Sequence, residues 1–382
     1  MMLPFRAVLK KIALGSLLIA ASAALLLYSD LGSRNGYSAK GANSGRPLRL
    51  AIVQQTSVTP LDEGVTGALE ALKQRGYEDG GRMIVHRYNA QGDIATANAI
   101  AREVTSGDFD LIFSASTVSL QTIANANRFA TPPRRHVFAI VTDPYAVGVG
   151  VSKDNHSIHP PYMTGVGSFA PVEAIFRLAK QLYPPLKRVG LVWDPSEANS
   201  VVTTKLARTV CPSMGITLVE ANAENSTMVG EATASLLARG VEAIWVSPDL
   251  TTSHALNVIV SQARVARIPV FVSTPSDGVT GSLFDLGANY IAIGHVAGDL
   301  VADVLDGRDP ARVPVENVMP ITLHLNRLVL KGLRDRWQFP DSIVQRADVV
   351  VDETGKHVRE SQPPANNAAT KPAAAAETTN PK

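Results

Sequence analysis

The two halves of the sequence repeat one pattern of strands and helices, and this repetition is the strongest constraint on the fold. The first copy begins with the apolar run 49–53 and a helix-like segment, 61–75, whose apolar residues recur at helical spacing. The second copy begins with the run 188–192 and the helix-like segment 201–214. Short apolar runs that alternate with helices are typical of parallel sheets covered on both faces. The sequence therefore predicts an α/β fold of two similar doubly wound lobes.

The later segments keep the same order in each half. In the first half the pattern predicts strands at 83–88, 110–113 and 136–141 and helices at 93–106 and 118–128. In the second half it predicts strands at 217–219, 242–246 and 269–273 and helices at 230–239 and 255–266. The final part predicts a strand at 283–288, a helix at 291–305, an extended segment at 315–325 and a short helix at 327–333. Such late segments commonly cross between lobes.

We therefore divide the folded body into two discontinuous lobes. Lobe 1 is expected to span 47–167 and to be completed by about 285–312. Lobe 2 is expected to span 168–284 and to be completed by about 313–355. Two lobes that face each other through the ends of their strands form a cleft, and hinge closure over a ligand is the expected motion.

Composition excludes several classes of function. With 382 residues, 45% of them hydrophobic, the chain is long enough for two lobes with sizeable cores. A net charge of +2, with scattered basic residues, argues against a nucleic-acid partner. The single cysteine, Cys211, excludes an intrachain disulfide and a multi-cysteine metal site. His156 and His159 lie close together in a Pro-rich loop, but no acidic or cysteine cluster completes a zinc set.

Motifs for catalysis or cofactors are also missing from the sequence. There is no Gly-x-Ser-x-Gly nucleophile elbow and no Walker phosphate loop. Paired carboxylates such as Asp143 and Glu197 could in principle act as acid and base. Two moving lobes suit capture and release better than fixed chemistry, so we expect neither an enzyme nor a cofactor or metal.

The N-terminal residues predict export. Basic residues precede the apolar run 12–28, which favours translocation of the chain that follows. Residues 1–28 are therefore a signal-anchor or a signal peptide. The segment 21–23, Ala-Ser-Ala, could be a cleavage site, but cleavage there would leave three leucines, 25–27, near the start of the mature chain. We favour an uncleaved anchor and an extracytoplasmic body held at the cytoplasmic membrane.

Two further segments differ from the folded body in composition. Residues 29–46 are rich in Gly, Ser and Asn and predict a flexible tether. Residues 356–382 contain mostly Ala, Pro, Thr and Asn, so they cannot bury enough apolar surface to fold and predict a disordered tail.

Small polar residues gather where the predicted strands end, and the stretch 193–200 is the clearest example. Ligands of open parallel sheets bind beyond the carboxyl ends of the strands, where helices begin and present free N–H groups. The candidate ligand-binding residues at these ends are Ser57, Ser116, Thr117, Thr142, Asp143, Trp193, Glu197, Asn199, Ser200, Asp249 and Asp277.

These residues divide into two chemical groups. Helix starts after Ser57, Ser116 and Glu197, with nearby hydroxyl groups, could hold a carboxylate. The carboxylates could hold an ammonium group. Together they suit an amino acid or a related small polar molecule. The alternative for each Asp or Glu is a helix cap or a turn, and the alternative for Trp193 is packing within its lobe.

Several motifs resemble those of ABC-importer substrate-binding proteins with the type I periplasmic-binding-protein fold, in the branch that includes tryptophan- and tyrosine-binding members. The motifs, in order, are Asn-Ala-Gln-Gly-Asp at 89–93, Val-Thr-Asp-Pro at 141–144, Ser-Glu-Ala-Asn-Ser at 196–200, Gly-Val-Glu-Ala-Ile at 240–244 and Ile-Pro-Val-Phe at 268–271. The resemblance covers about residues 48–350. It implies that the closed form docks on a membrane permease.

The chain departs from that pattern in two places. The loop through 155–161 is longer, and an apolar anchor without a lipid-bearing cysteine stands at the N-terminus. A membrane-anchored sensing module that signals to a partner protein is therefore the alternative to transport.

Overall fold

A computed structural model describes residues 46–275 and 281–359. The expected N-terminal anchor and nearly all of the expected tether lie outside the described residues, as do Asp277 and the tail from residue 360. Within the described ranges, no helix has the length and apolar character needed to cross a membrane.

The first lobe is built on a parallel sheet. Its strands are β1 (Leu48–Gln54), β2 (Met83–Asn89), β3 (Leu111–Ala115), β4 (His136–Val141), β5 (Met163–Gly167) and β11 (Glu316–Asn317). They lie in the order β11-β5-β4-β3-β1-β2. Its helices are α1 (Thr59–Gln74), α2 (Ile94–Ser106), α3 (Thr117–Asn127) and α9 (Tyr290–Leu305). The central strands β3 and β4 are buried along their whole length, which explains their continuous apolar sequence.

The second lobe has a larger sheet. Its strands are β6 (Arg188–Trp193), β7 (Thr217–Asn222), β8 (Ala243–Val246), β9 (Val270–Val272), β10 (Phe284–Ala288), β12 (Ile321–Asn326), β13 (Val349–Asp352) and β14 (Gly355–Val358). They lie in the order β14-β13-β12-β10-β9-β8-β6-β7. Its helices are α4 (Val172–Leu182), α5 (Ala198–Ser213), α6 (Val229–Ala238), α7 (Leu250–His254), α8 (Leu256–Ala266), α10 (Arg327–Leu330) and α11 (Asp341–Val344). Strands β6 to β10 are parallel, whereas β12 and β14 pair antiparallel with β10 and β13.

Three crossings join the lobes, at residues 168–171, at Asn289 and at residues 318–320. They run side by side, because the Val318 N–H donates to the Gly167 carbonyl at 2.8 Å and the Asn289 N–H donates to the Pro320 carbonyl at 2.7 Å. These hydrogen bonds tie the crossings into one narrow connection, as a hinge between two lobes requires.

Close helix packing attaches α9 to the first lobe. A Cβ atom added to Gly294 would stand 2.2 Å from the Gly64 carbonyl oxygen, and one added to Gly298 would stand 2.3 Å from that of Ala68. The backbones of α1 and α9 therefore touch, and only glycine permits this approach. This packing places the start of α9, at Tyr290, beside the starts of α1 and α3.

The expectation of two α/β lobes is confirmed, with corrections to its details. Phe284–Ala288 lies in the second sheet, so the segment that completes the first lobe begins at Asn289 rather than near 285. Glu316–Asn317 lies in the first sheet, so the return to the second lobe comes after 317 rather than at 313. The expected extended segment 315–325 is divided by that crossing.

The sequence interpretation also left parts of the structure out. It assigned no element to β5 or α4, although both are integral to their lobes. It placed the disordered tail from 356, but Gly355–Val358 forms strand β14, which pairs with β13. The long loop after β4 packs on the first lobe: His159 Nε2 lies 2.9 Å from the Val313 carbonyl oxygen, and the Tyr145 hydroxyl donates to the carbonyl of Val315.

Candidate functional site

A narrow cavity of about 40 Å³, the interlobe cavity, lies between the lobes where several helices begin. The first lobe contributes the starts of α1, α3 and α9 and the end of β4, and the second contributes the starts of α5 and α7 and the end of β9. Small hydroxyl side chains dominate its polar wall: Ser116, Thr117, Thr142, Ser168, Ser253 and Thr274. The apolar wall includes Val58, Leu61, Ile140 and Leu250.

Two residues that line the interlobe cavity have unusual backbone conformations. Ser116 has φ 128°, and Ile140, a β-branched residue, has φ 58°. A positive φ is costly for side chains of these types and tends to occur where function requires it. The register of β4 against β5 shifts between Phe138 and Val141, so Ile140 sits in a bulge. Such a bulge redirects a side chain, here toward Gly64 on α1.

In the first lobe, a neutral side chain caps the helix that borders the cavity. The Ser116 hydroxyl accepts a hydrogen bond from the Ser119 N–H at the start of α3. No acidic residue stands in the first turn of α3. The partial positive charge of this helix start is therefore not compensated by a carboxylate on its own first turn, and an anion is favoured there.

In the second lobe, a carboxylate caps the equivalent helix. Asp249, which is fully buried, accepts a hydrogen bond from the Thr252 N–H of α7. Its other oxygen accepts from the Asp194 N–H at 2.8 Å and from the Ser200 hydroxyl at 2.5 Å. Burial raises the pKa of the Asp249 carboxyl, while these hydrogen bonds act in the opposite direction. Asp249 thus fixes the ends of β6 and β8 to each other.

Glu197 reinforces the same junction. Its carboxylate accepts hydrogen bonds from the N–H groups of Leu250 and Thr251, at 3.0 and 2.9 Å. Burial, and then the neighbouring Asp249 charge, raise the pKa of Glu197 to about 7. Asn199 donates its side-chain amide to Glu197 and to the Pro248 carbonyl, which leaves its buried Oδ1 atom without a hydrogen-bond partner in the described structure.

A second space, the acidic chamber, adjoins the interlobe cavity and has a volume of about 920 Å³. Leu250 lines both spaces. The first lobe contributes Gln55, Thr56 and the loop 91–94, and the second contributes Asp194, Glu197, the segment 224–226 and part of α7.

The lobes also touch directly. The Thr56 hydroxyl and His254 Nε2 are 2.9 Å apart across the cleft. Leu250 of the second lobe packs on the apolar core of the first lobe that contains Leu61. Ala198 of the second lobe packs on the apolar cluster of the first lobe that contains Leu120. The arrangement is that of two lobes in direct contact on both sides of the interlobe cavity.

The structure brings together only part of the predicted site. Ser116, Thr117, Thr142 and Asn199 line the interlobe cavity, and Glu197 lines the acidic chamber. The other described candidates line neither space: Ser57, Asp143, Trp193, Ser200 and Asp249.

Each of these other candidates makes contacts within its own lobe. Ser57 accepts a hydrogen bond from the Asn89 side chain, and Asp143 accepts from the N–H groups of Tyr145 and Ala146. Trp193 packs in the core of the second lobe, with the Arg208 guanidinium 5.3 Å from its ring, and its buried indole N–H has no hydrogen-bond partner in the described structure. Asp277 lies outside the described residues.

Several lining residues were missed by the sequence interpretation. Ser168 and Tyr290 lie at the crossings between the lobes, while Ser253 lies on a helix of five residues. Thr274 lies two residues after β9 ends at Val272. Once the sequence is divided into two lobes, polar residues at the crossings between them indicate positions that can line the cleft.

The chain matches a family model described as ABC transporter substrate binding protein over residues 49–351. A tyrosine-binding protein of Clostridioides difficile strain R20291 is 26% identical over 322 residues, which are 83% of this chain and 91% of the relative.

Solved structures have the same fold. A conserved domain protein from Vibrio cholerae is 29% identical, with a TM-score of 0.74, and the match covers 80% of this chain and all of that one (100%). A protein from Streptococcus pneumonia in complex with L-Trp is 22% identical, with a TM-score of 0.73 and the same coverage.

Proposed function

This chain belongs to the family of ABC transporter substrate-binding proteins, and we propose that it captures an amino acid between its two closing lobes. Members of the family are binding proteins rather than enzymes. The observation that carries the proposal is the interlobe cavity, in which hydroxyl groups and an uncompensated helix start face a buried, unpartnered amide oxygen.

The two walls of the cavity suit the two charged groups of an amino acid. The α-carboxylate would lie at the start of α3, where backbone N–H groups and the hydroxyl of Thr117 are available. The α-ammonium group would donate to Asn199 Oδ1, which has no partner among the described residues. A buried acceptor without a partner is costly, so its pairing contributes to binding.

The relatives support an amino acid as the solute. The Clostridioides difficile relative is named a tyrosine-binding protein, and the Streptococcus structure contains L-Trp. The two matches cover 83% and 80% of this chain.

We further propose that the protein acts outside the cytoplasm and delivers its solute to an ABC permease, with residues 12–28 as its membrane anchor. The family assignment supports the partner and the location. The basic residues that precede the apolar run support the anchor. Fractionation of cells that express the full chain tests this: the protein should remain with the membrane after a high-salt wash, and release into the soluble fraction would contradict anchoring.

Titration of the purified protein with the common amino acids tests the proposed function. A solute at 100 times its Kd should stabilise the protein by about 2.7 kcal/mol, which a thermal melt detects. Nucleosides and sugars serve as the comparison set. A shift with amino acids supports the proposal, and a shift with sugars or nucleosides alone would contradict it.

An isosteric substitution tests the cavity itself. Asn199→Leu should weaken amino-acid binding by about tenfold or more, because it removes the acceptor for the ammonium group. Asn155→Leu, on the exposed loop after β4, is the matched control and should leave the affinity unchanged. Equal affinity in Asn199→Leu and the unsubstituted protein would remove Asn199 from the site.

A further inference from the structure

The acidic chamber has a strongly one-sided charge. Four carboxylates line it: Asp93, Asp194, Glu197 and Glu224. Among its described lining residues there is no lysine or arginine, and His254 is the one basic side chain. A cleft lined by a single sign of charge, with apolar walls such as Ile94 and Leu250, concentrates counter-ions.

An unsatisfied acceptor also lies in the chamber wall. Gln55 is 5% exposed, and its Oε1 atom has no hydrogen-bond partner in the described structure. The residue follows β1, and its backbone carbonyl accepts from the Gly92 N–H, which fixes its position beside α2. A buried amide oxygen without a partner favours an N–H donor. This observation is independent of the carboxylates and indicates the same kind of ligand group.

The chamber begins where the interlobe cavity ends. Leu250 belongs to both walls, and Val118 in the chamber follows Thr117 in the cavity along α3. A ligand whose backbone occupies the interlobe cavity can therefore extend a side chain past Leu250. With a volume of about 920 Å³, the chamber has room for a long side chain and its water.

We propose that the acidic chamber binds the terminal ammonium or guanidinium group of a basic amino acid, so that dibasic solutes are preferred over neutral ones. This inference rests on the proposed function, since it assigns the side-chain end of the same ligand. Carboxylates and the Gln55 amide oxygen are acceptors, which match a cation that only donates hydrogen bonds.

Proton linkage gives the proposal a second signature. Asp194 and Asp249 stand beside Glu197. Asp93 lines the chamber from the first lobe, and Glu224 and His254 line it from the second. A bound cation favours the ionised form of Glu197, so it lowers the raised pKa of that group and releases a proton. The affinity for a dibasic solute should therefore rise between pH 6 and pH 8.

Calorimetric titration with lysine and with norleucine tests the proposal on the full chain. The two ligands differ only in the terminal ammonium group, so their comparison isolates the chamber. Lysine should bind at least about tenfold more tightly, with proton release near pH 7. Norleucine binding as tightly as lysine, or tyrosine binding while lysine does not, would overturn the inference and leave the proposed function intact. No binding by any amino acid would instead contradict the proposed function.

A charge-matched pair of variants locates the effect. Asp93→Asn with Glu224→Gln removes two chamber charges while keeping side-chain shape, and asparagine still caps a helix. Lysine affinity should fall by about 2- to 25-fold, because each partly exposed ion pair contributes a factor of about 1.5 to 5. Norleucine affinity should not change. The control, Asp154→Asn with Glu231→Gln, removes two exposed carboxylates elsewhere; an equal loss in the control would overturn the assignment to the chamber.

Discussion

The helix starts that follow β3 and β8 occupy equivalent places in the two lobes, yet one is capped by a hydroxyl and the other by a carboxylate. Ser116 accepts from the N–H three residues later, and so does Asp249. Ser116 lines the interlobe cavity in a strained conformation, whereas Asp249 is fully buried and holds two further donors.

This difference shows how a repeated fold acquires an asymmetric site. The first lobe keeps its helix start uncharged, so the site there favours an anion. The second lobe places the carboxylates of Glu197 and Asp249 at the same edge, and they accept hydrogen bonds from N–H groups at the start of α7. A repeat of topology thus does not imply a repeat of chemistry, and the lobes can bind opposite ends of one zwitterion.

The largest expected effect concerns the two caps. Asp249→Ala leaves three buried donors without an acceptor, so it should lower the free energy of unfolding by about 3 kcal/mol or more. Ser116→Ala should cost about 1 kcal/mol, as usual for a lost helix cap. Chemical denaturation measures both, and equal losses would break the contrast between the lobes.

The next effect concerns the close packing of helices α1 and α9 in the first lobe. Gly294→Ala places a Cβ against the backbone of Gly64, so α1 and α9 must separate at a cost of about 1–3 kcal/mol. Gly230→Ala on α6 is the matched helical control, because its Cβ has ordinary contacts at 3.4 Å. That variant should be neutral or stabilised by up to about 1 kcal/mol. Similar melting temperatures for the two variants would contradict the close packing.

A third prediction uses the raised pKa of Glu197, about 7 in the folded protein against an ordinary 4.5. The folded protein binds this proton more tightly than the unfolded chain, so the contribution of Glu197 to stability is present below pH 4.5 and is lost as the pH rises through 7. Glu197→Gln removes this dependence. Relative to the unsubstituted protein, the variant should gain on the order of 1–3 kcal/mol between pH 5 and pH 8; a difference that stays constant with pH would contradict the raised pKa.

The smallest effect is expected at Asp143. This carboxylate accepts from two N–H groups of its own turn and lies outside both spaces between the lobes. Asp143→Asn should lower stability by less than about 1 kcal/mol and leave amino-acid affinity within about twofold. A tenfold loss of amino-acid affinity would contradict this prediction and indicate that Asp143 contacts the ligand.

The parts of the fold with clear periodicity could be predicted from the sequence. Continuous apolar runs such as β1 and β4 are buried on both faces, and this burial is the physical cause of the pattern. Strand β5 was missed because two of its five residues are glycines, which are uncommon in strands. Those glycines are needed there: a Cβ at Gly165 would stand 2.3 Å from the Phe138 carbonyl oxygen.

The candidate site was harder to predict because a cap and a ligand contact have the same sequence signature. Asp249 and Asn199 both lie where a strand ends or a helix begins. Both oxygens of Asp249 accept hydrogen bonds, whereas Asn199 Oδ1 has no partner among the described residues. Only the three-dimensional accounting of hydrogen bonds separates them. Residues at the crossings, such as Ser168 and Tyr290, join the cavity through the association of the lobes, which no local pattern records.

The most direct test of the asymmetric site is a crystal structure of the protein with a bound amino acid. We expect the α-carboxylate within about 3 Å of the backbone N–H groups at the start of α3, and the α-ammonium group at hydrogen-bonding distance from Asn199 Oδ1. An amino acid bound in the reverse orientation, with its carboxylate on the second lobe, would contradict this expectation.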